Sequence, residues 1–257
     1  MIFVEPKVFL IGETTLLWDN VKAWLNHVGG TPCLDYMYGH DAEQLVELAG
    51  KECYRSFCVG INPNVSKVTE DSAKYHANYM KQGHGALLEH AQTNWAFEDI
   101  SRVFTHEVVR HRAGCAYSQV SLRYCRLDDL RYWIPPDIEV NEEALELFRG
   151  TVKNLEDAQH RLAEIFKVDD LPFADKKRLT SAFRRIAPIG LATGIVASFN
   201  MRALRHIISL RTAKHAEVEM RIAFGKVFDI AKERYPLFFA DADYNEDREV
   251  IFQNQKV

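Results

Sequence analysis

The sequence has no pattern of paired cysteines and no long apolar run. Its five cysteines are an odd number at irregular spacings, and no Cys-x-x-Cys pair occurs, which excludes a disulfide framework and a zinc knuckle. No stretch of about 18 apolar residues is present, so no transmembrane helix is expected, and the N-terminus lacks the basic and apolar regions of an export signal. These absences predict a cytoplasmic protein with reduced thiols and no membrane partner.

An excess of basic charge is also missing. The formal net charge is −4 and the pI is about 6.2, so the chain has no bulk attraction for nucleic acid, and any affinity for phosphate must be local. No glycine-rich turn joins a strand to a helix, which disfavours a doubly wound dinucleotide-binding fold. Since 257 residues with 47% hydrophobic content can bury one substantial core and no linker or repeat interrupts them, we expect a single domain over residues 1–257.

Hydrophobic periodicity predicts an α+β arrangement, because the longest helices come late and the strands do not alternate regularly with them. Ser101 and Asn141 are the predicted helix N-caps, and Gly83 and Gly85 are expected to end the second helix. Helices are predicted at 41–48, 68–80, 101–111, 141–166, 175–186 and from about 200 onward, and strands at 7–11, 93–97 and 195–199.

The most informative segment runs from Arg110-His111-Arg112 through a short loop to Ser121-Leu122-Arg123-Tyr124. The chain around it carries five arginines and no lysine, at positions 110, 112, 123, 126 and 131. Arginine in such density suits bidentate recognition of phosphate. The alternative is a solvated face paired with Asp128 and Asp129.

A zinc site is the other chemistry that this region suggests. His106 and His111 are five residues apart, and at about 100° per residue their side chains diverge by roughly 140° around a helix. Zinc-protease helices place two histidines four residues apart, on one face. We therefore predict no metal site.

The arginine segment resembles the signature of flavin-dependent thymidylate synthases, in which Arg-His-Arg is followed by seven residues and a Ser-x-Arg-Tyr run. Here eight residues, Ala113 to Val120, separate Arg112 from Ser121. Further matches follow the family's order over roughly Cys53 to Arg234: Gly83-His84 with Glu89-His90, Arg184 before Pro188, Asn200-Met201-Arg202, and then His206, Arg211 and His215.

The resemblance implies a mixed or antiparallel sheet with long helices, and a homotetramer whose sites are shared between subunits. It also implies methylation of deoxyuridylate at C5, with methylenetetrahydrofolate as carbon donor. Because no side chain can donate hydride, a cofactor must do so, and the family uses FAD reduced by NADPH.

Residue roles follow from the same resemblance. Arg211 is the catalytic residue at the uracil ring, and His84 lies toward the folate. Cys115 has no catalytic role, since the family works without a cysteine nucleophile. The nucleotide is expected to contact Glu107, Arg110, Gln119, Val120, Ser121, Leu122, Arg123, Arg184 and Arg211, and the flavin Ala86, Glu89, Arg110, His111, Arg112, Gln119, Asn200, Arg202 and His206.

The chain departs from the family at several positions. Glu107 stands where glutamine is common, Ala86 replaces a frequent hydroxyl residue, and His206 replaces an asparagine. Because Glu107 could accept a hydrogen bond from a ribose hydroxyl, uridylate is an alternative substrate. A homologue that binds nucleotide or RNA without turnover is a second alternative.

Overall fold

The computed structural model describes residues 2–123 and 130–257, so Tyr124, Cys125, Arg126, Asp128 and Asp129 of the arginine segment lie outside the described residues. The strands in the described ranges are β1 (Ile2–Phe3), β2 (Lys7–Glu13), β3 (Gln92–Ser101), β4 (Cys115–Gln119), β5 (Arg131–Tyr132), β6 (Ala192–Asn200), β7 (Ala242–Tyr244) and β8 (Val250–Phe252). The helices are α1 (Trp18–Val28), α2 (Asp41–Tyr54), α3 (Ser72–Lys81), α4 (Arg102–Val108), α5 (Pro136–Glu139), α6 (Glu142–Ile165), α7 (Phe173–Phe183), α8 (Met201–Thr212) and α9 (Val218–Arg234).

The strands form a four-stranded sheet and two pairs. The larger sheet has the order β2-β3-β6-β4. β1 pairs with β5 in parallel, whereas β7 and β8 are antiparallel. The α+β fold class with mixed strand directions is therefore confirmed. Within the described residues, no helix combines the length and the apolar character needed to cross a bilayer.

The chain divides into two compact units. The first comprises Met1–Phe9, Ala96–Arg110 and Tyr117–Ala197, and the second comprises Leu10–Trp95, His111–Ala116 and Ser198–Val257. Each has an apolar cluster of its own: the first unit buries Leu122, Leu130, Tyr132, Val152 and Leu191, and the second buries Leu25, Cys33, Leu48 and Phe57. The single domain expected from the sequence stays a prediction.

The helix starts agree best with the sequence. The Ser101 hydroxyl accepts a hydrogen bond from the Phe104 amide, and Asn141 accepts one from Ala144, so both act as the predicted N-caps. Helix α6 runs from Glu142 to Ile165 as its apolar spacing predicts. β3 and β6 contain the two strands predicted from alternating apolar residues.

Several predicted boundaries were wrong, and one strand was not predicted. α3 starts at Ser72, not at residue 68, because the Asp71 carboxylate caps it by accepting from the Lys74 amide. α4 ends at Val108, so His111 is not on that helix. The segment predicted as a loop after Arg112 contains strand β4, whose mostly exposed side chains give no apolar alternation. β2 continues through Gly12 to Glu13.

Helix α7 also differs from the prediction. It begins at Phe173 behind Pro172 and ends at Phe183, and a 3-10 turn over Arg184–Ile186 follows. The sequence reading missed α1 and α9. The α9 helix buries residues around much of its circumference, including Met220, Phe224 and Phe228, so its polar face is narrow and its amphipathic signal is weak.

Candidate active site

The first unit carries one group of the predicted site residues, at the end of β4. Gln119 is the last residue of the strand, and its side-chain amide donates to the Thr105 hydroxyl on α4 at 2.9 Å. The Val120 amide donates to the Gly194 carbonyl at 3.0 Å. The chain therefore leaves the strand in a fixed direction.

Arg102, at the start of α4, supports the same segment, although no motif in the sequence indicated this residue. Its guanidinium donates to the Val120 carbonyl at 3.0 Å. Burial, followed by the positive charge of Arg184, lowers the pKa of the Arg102 guanidinium. Two guanidinium groups thus interact unfavourably beside the predicted nucleotide residues, which is an electrostatic environment that favours an anion. The only sequence signal was its place directly after a helix cap.

The remaining residues of this group differ in what they can offer a ligand. Leu122 packs into the apolar cluster of the first unit, so it can contribute only its backbone. The Ser121 hydroxyl accepts from the Arg123 amide at 3.3 Å, which forms a tight turn that holds the serine oxygen. Arg110 and Arg123 are exposed, and Glu107 is half-buried on α4.

The second unit carries the other group, organised by the N-terminus of α8. Asn200 caps this helix, accepting from the Ala203 amide at 2.8 Å. The backbone amide of Asn200 donates to the Gly114 carbonyl at 2.8 Å. Gly114 has φ of +69°, and a Cβ at this position would stand 2.3 Å from Nδ2 of the Asn200 side chain. Only glycine fits this contact.

Gly114 lies in a defined turn at the start of the segment from Ala113 to Val120. The Cys115 amide donates to the Arg112 carbonyl at 3.2 Å, closing a four-residue turn in which Gly114 is the third residue. A positive φ at this position is the type II geometry that glycine favours. This segment thus packs directly against the cap of α8 through Gly114.

Arg211 and His111 meet in the second unit, although 100 positions separate them in the sequence. Arg211 Nε donates to His111 Nε2 at 2.9 Å. Because arginine only donates, His111 Nε2 must be unprotonated in this contact. The His206 ring lies edge-on to the His111 ring, with centroids 6.2 Å apart. These three side chains form a contiguous polar group on and beside α8.

The first turn of α8 contributes a cation. Arg202 donates to the Glu89 carboxylate at 2.6 Å, and both side chains are about half exposed. Gly85 lies beneath this pair, since a Cβ there would stand 2.9 Å from Arg202 Nε. His84 and Ala86, next to it in sequence, line a cavity of about 390 Å³ together with side chains such as Tyr75, Asn78 and Gln82.

Within each unit, the structure brings predicted residues together. The first unit collects Arg102, Gln119, Val120 and Ser121, with Arg184 acting on Arg102. The second unit joins His111 to Arg211 and His206, Glu89 to Arg202, and the Gly114 turn to Asn200. Arg112 is exposed, and its carbonyl holds the Gly114 turn. Cationic and amide groups dominate both sets, which suits phosphate and a heteroaromatic ring.

Comparison with known proteins gives one consistent result. The thymidylate synthase complementing protein family matches residues 33–237 of this chain. A flavin-dependent thymidylate synthase of Corynebacterium diphtheriae is 37% identical over 205 residues, which cover 78% of this chain and 79% of that protein. Similar enzymes of Mycobacteroides abscessus and Mycobacterium marinum are 33% and 36% identical, and cover 93% and 84% of this chain and 91% and 81% of their own.

Proposed function

The chain belongs to the thymidylate synthase complementing proteins, the flavin-dependent thymidylate synthases, and from this premise we propose that it methylates deoxyuridylate at C5. Methylenetetrahydrofolate is the proposed carbon donor, and FAD reduced by NADPH the proposed hydride source. The observation that carries this proposal is the hydrogen bond between His111 and Arg211, since it joins the Arg-His-Arg motif to the arginine expected at the uracil ring.

The residues of the second unit fit a flavin. A dinucleotide needs cations that bind its diphosphate and a site where it can come close to the backbone. Arg202 supplies a cation and lies directly over Gly85, where a Cβ would collide with the Arg202 side chain. Arg112, Glu89, Asn200 and His206 are proposed to complete this site. When bound, FAD supplies hydride, which no side chain can do.

Arg211 is the proposed catalytic residue. Its fixed charge stabilises the ionised N3–O4 system of uracil, which raises the electron density at C5 and makes that carbon nucleophilic. His111 holds the guanidinium by accepting its Nε proton, so the charge is oriented before the substrate arrives. The enzyme therefore does not need a thiolate at C6, and Cys115 has no step to perform.

The first unit is proposed to bind the nucleotide. Arg110, Arg123 and Arg184 are the proposed phosphate ligands, and Gln119 and Ser121 are the proposed hydrogen-bonding groups. Arg102 acts indirectly, because it fixes the Val120 carbonyl between those two residues. His84 is proposed to face the folate, and the sites are proposed to be completed by other subunits of a homotetramer, which light scattering on the purified protein would test.

The direct test is a reaction of the purified protein with FAD, NADPH, methylenetetrahydrofolate and deoxyuridylate, with thymidylate measured by mass spectrometry. A yellow protein that NADPH bleaches and that forms thymidylate supports the proposal. A colourless protein that FAD cannot reconstitute, but which binds nucleotide, would instead identify a homologue without turnover.

The choice between deoxyuridylate and uridylate needs its own measurement. Deoxyuridylate is the proposed substrate, because six nucleotide-contacting matches are retained in the sequence: Arg110, Gln119, Ser121, Arg123, Arg184 and Arg211. A site that merely tolerates an added hydroxyl discriminates by about a hundredfold at most, whereas one that hydrogen-bonds it rejects the analogue lacking it far more strongly. If kcat/KM for uridylate were about a thousandfold higher, Glu107 would be the first residue to substitute.

A further inference from the structure

A cationic cavity lies in the second unit, lined by none of the residues assigned above. It has a volume of about 500 Å³ and is formed by α9 and the segment around Tyr244. Three basic side chains line it, those of Arg221, Lys226 and Arg248, against one acidic side chain, that of Asp229. The chain as a whole carries a net charge of −4, so this local excess of positive charge needs an explanation.

The neighbouring carboxylates have hydrogen-bond partners of their own, and Glu249 also interacts electrostatically with Arg221. Asp229 accepts from the Tyr244 hydroxyl at 2.9 Å. Asp247 accepts from Lys214 through its side chain at 3.3 Å, and offers Arg221 only its backbone carbonyl, at 3.2 Å. Glu249 accepts from the backbone amide of Lys214 and from Asn245. None of these hydrogen bonds pairs a carboxylate with the Arg221 guanidinium.

Arg221 also keeps an unused donor. Its Nε is buried, and within the described parts of the chain no acceptor lies at hydrogen-bond distance from it. A buried N–H without an acceptor destabilises the fold, and the cost is larger on a charged group. An anion in the cavity would balance the charge of this guanidinium, and would accept from Nε once the side chain turned toward the cavity.

The shape of the cavity limits what that anion can be. Its volume lies in the range of about 300–1,000 Å³ typical of sites for organic ligands, and is far larger than a lone phosphate needs. The Arg248 guanidinium lies over the Tyr244 ring, 4.8 Å from its centroid, and Val218 and Ile222 add apolar surface. Planar cation, aromatic and apolar groups beside arginines suit a flat base that carries phosphate.

We propose that this cavity binds the phosphorylated adenosine end of the nicotinamide dinucleotide that reduces the flavin. This inference rests on the proposed function, which requires such a reductant. Arg221 and Lys226 bind the phosphate groups, and the Arg248–Tyr244 stack supports the adenine.

The cavity is connected to the proposed catalytic helix through one turn. Asp247 in this turn accepts from Arg221, while the Val250 amide, at its end, donates to the Thr212 hydroxyl at 2.9 Å. Thr212 is the last residue of α8 and follows Arg211 directly. A ligand on Arg221 is therefore linked by hydrogen bonds to the end of the helix that carries Arg211.

The test is calorimetric titration of the flavin-loaded protein with adenosine 2′,5′-bisphosphate. Arg221→Gln and Arg248→Gln should each raise Kd about tenfold or more, because the first removes a charge-assisted contact to phosphate and the second removes the cationic stack that supports the adenine. Arg178→Gln is the matched control, since Arg178 is a largely exposed arginine on α7. In anaerobic mixing, the two variants should raise the NADPH concentration needed for half-maximal flavin reduction by a similar factor, with the same limiting rate.

Several outcomes would overturn the proposal. Unchanged binding in both variants would do so, as would inorganic phosphate binding as tightly as the bisphosphate, which would indicate a generic anion site. An effect confined to a polyglutamylated folate would assign the cavity to another co-substrate. If the wild type forms thymidylate but the variants bind the bisphosphate normally, this inference alone is refuted. If the bisphosphate binds normally at this cavity but no thymidylate forms, only the proposed function is refuted.

Discussion

The two groups of site residues are held in different ways. In the first unit, the segment from Gln119 to Ser121 is fixed mainly through its backbone, by contacts to Gly194 and Arg102. In the second unit, site side chains hold one another: His111 holds Arg211, and Glu89 holds Arg202. The group in the first unit is therefore positioned mainly by backbone hydrogen bonds, and the group in the second unit by contacts between side chains.

This difference predicts how substitutions spread. A side chain presented by a fixed backbone can be removed with little effect on its neighbours, whereas removal of one member of a hydrogen-bonded pair releases the other. Variants of the second unit should therefore show coupling in double-mutant cycles. In the first unit, substitutions of the exposed Arg110 and Arg123 should affect only the contact that each residue makes with its ligand.

The largest effect is expected for Arg211→Ala. The loss of a preorganised charge at the uracil ring should lower kcat by on the order of a thousandfold, while flavin remains bound. Single-turnover thymidylate formation and the flavin absorption band measure the two effects separately. Loss of flavin with normal turnover would show that Arg211 belongs to the cofactor site instead.

Gly114→Ala should have the next largest effect. The new Cβ would collide with the Asn200 side chain and would also require a positive φ, so the cap of α8 should be displaced and the protein destabilised by about 2–4 kcal/mol. Gly60→Ala is a matched control, because Gly60 has φ of +103° but no atom within 4 Å of its ideal Cβ. Denaturant unfolding and flavin affinity should distinguish them, and equal losses in both would rule out the role of the Asn200 contact.

The pair His111–Arg211 tests the coupling directly. His111→Leu removes the acceptor for Arg211 Nε and should lower kcat about tenfold to a hundredfold, whereas His111→Gln, whose amide oxygen can accept, should recover part of the loss. In the Arg211→Ala background, the same His111 changes should have little further effect on turnover. Additive effects would mean that His111 acts on the flavin alone.

A smaller effect, on stability, is expected for Glu13→Gln. The hydrogen bond from Arg234 is the main cause that lowers the pKa of Glu13 to about 2, with Tyr235 and His40 contributing. Since the folded pKa lies below the ordinary value of 4.5, the stabilisation is complete above about pH 4.5 and is lost as the pH falls toward 2.

Glu13→Gln should therefore cost about 1–2 kcal/mol at pH 7 and nothing near pH 2. Glu164→Gln is the control, because Glu164 and its partner Arg161 are both largely exposed and should contribute almost nothing. Urea unfolding at several pH values measures both. A cost for Glu13→Gln that did not depend on pH would point to lost packing and not to charge.

The smallest effect is expected for Cys115→Ala. The thiol is partly exposed and contacts the Ala113 carbonyl, and the proposed chemistry needs no thiolate. Turnover should stay within about twofold of the wild type. A folded, flavin-bound but inactive variant would require a cysteine nucleophile.

The fold was predictable where a local signal decides the structure. Side-chain caps at Ser101, Asn141 and Asn200 fixed three helix starts, because an N-cap needs only its own neighbours. Strand β4 was not predictable from its residues. Its exposed polar side chains carry no alternation, and it is a strand only because β6 lies beside it in the sheet.

The sequence predicts a set of site residues, but it does not predict the contacts among them. The ordered motifs identified Arg211 and His111 separately, and nothing in the spacing indicated that one donates to the other. Arg102 and the fit of Gly114 against Asn200 depend on tertiary packing. The cationic cavity formed by α9 and Tyr244 was missed for the same reason, since its charges are dispersed along the sequence.

The buried pair between Arg205 and Asp241 sets the angular position of α8. Arg205 makes two hydrogen bonds to the carboxylate, at 2.8 and 3.0 Å, and also donates to the Phe238 carbonyl, while Arg202 and His206 on either side are exposed. Each residue turns a helix by about 100°, so one inserted residue before Arg205 would force a choice between burying this pair and presenting Arg202. The buried pair therefore fixes which face of α8 presents Arg202 and His206, so the number of residues between Asn200 and Arg205 cannot change without moving these two side chains.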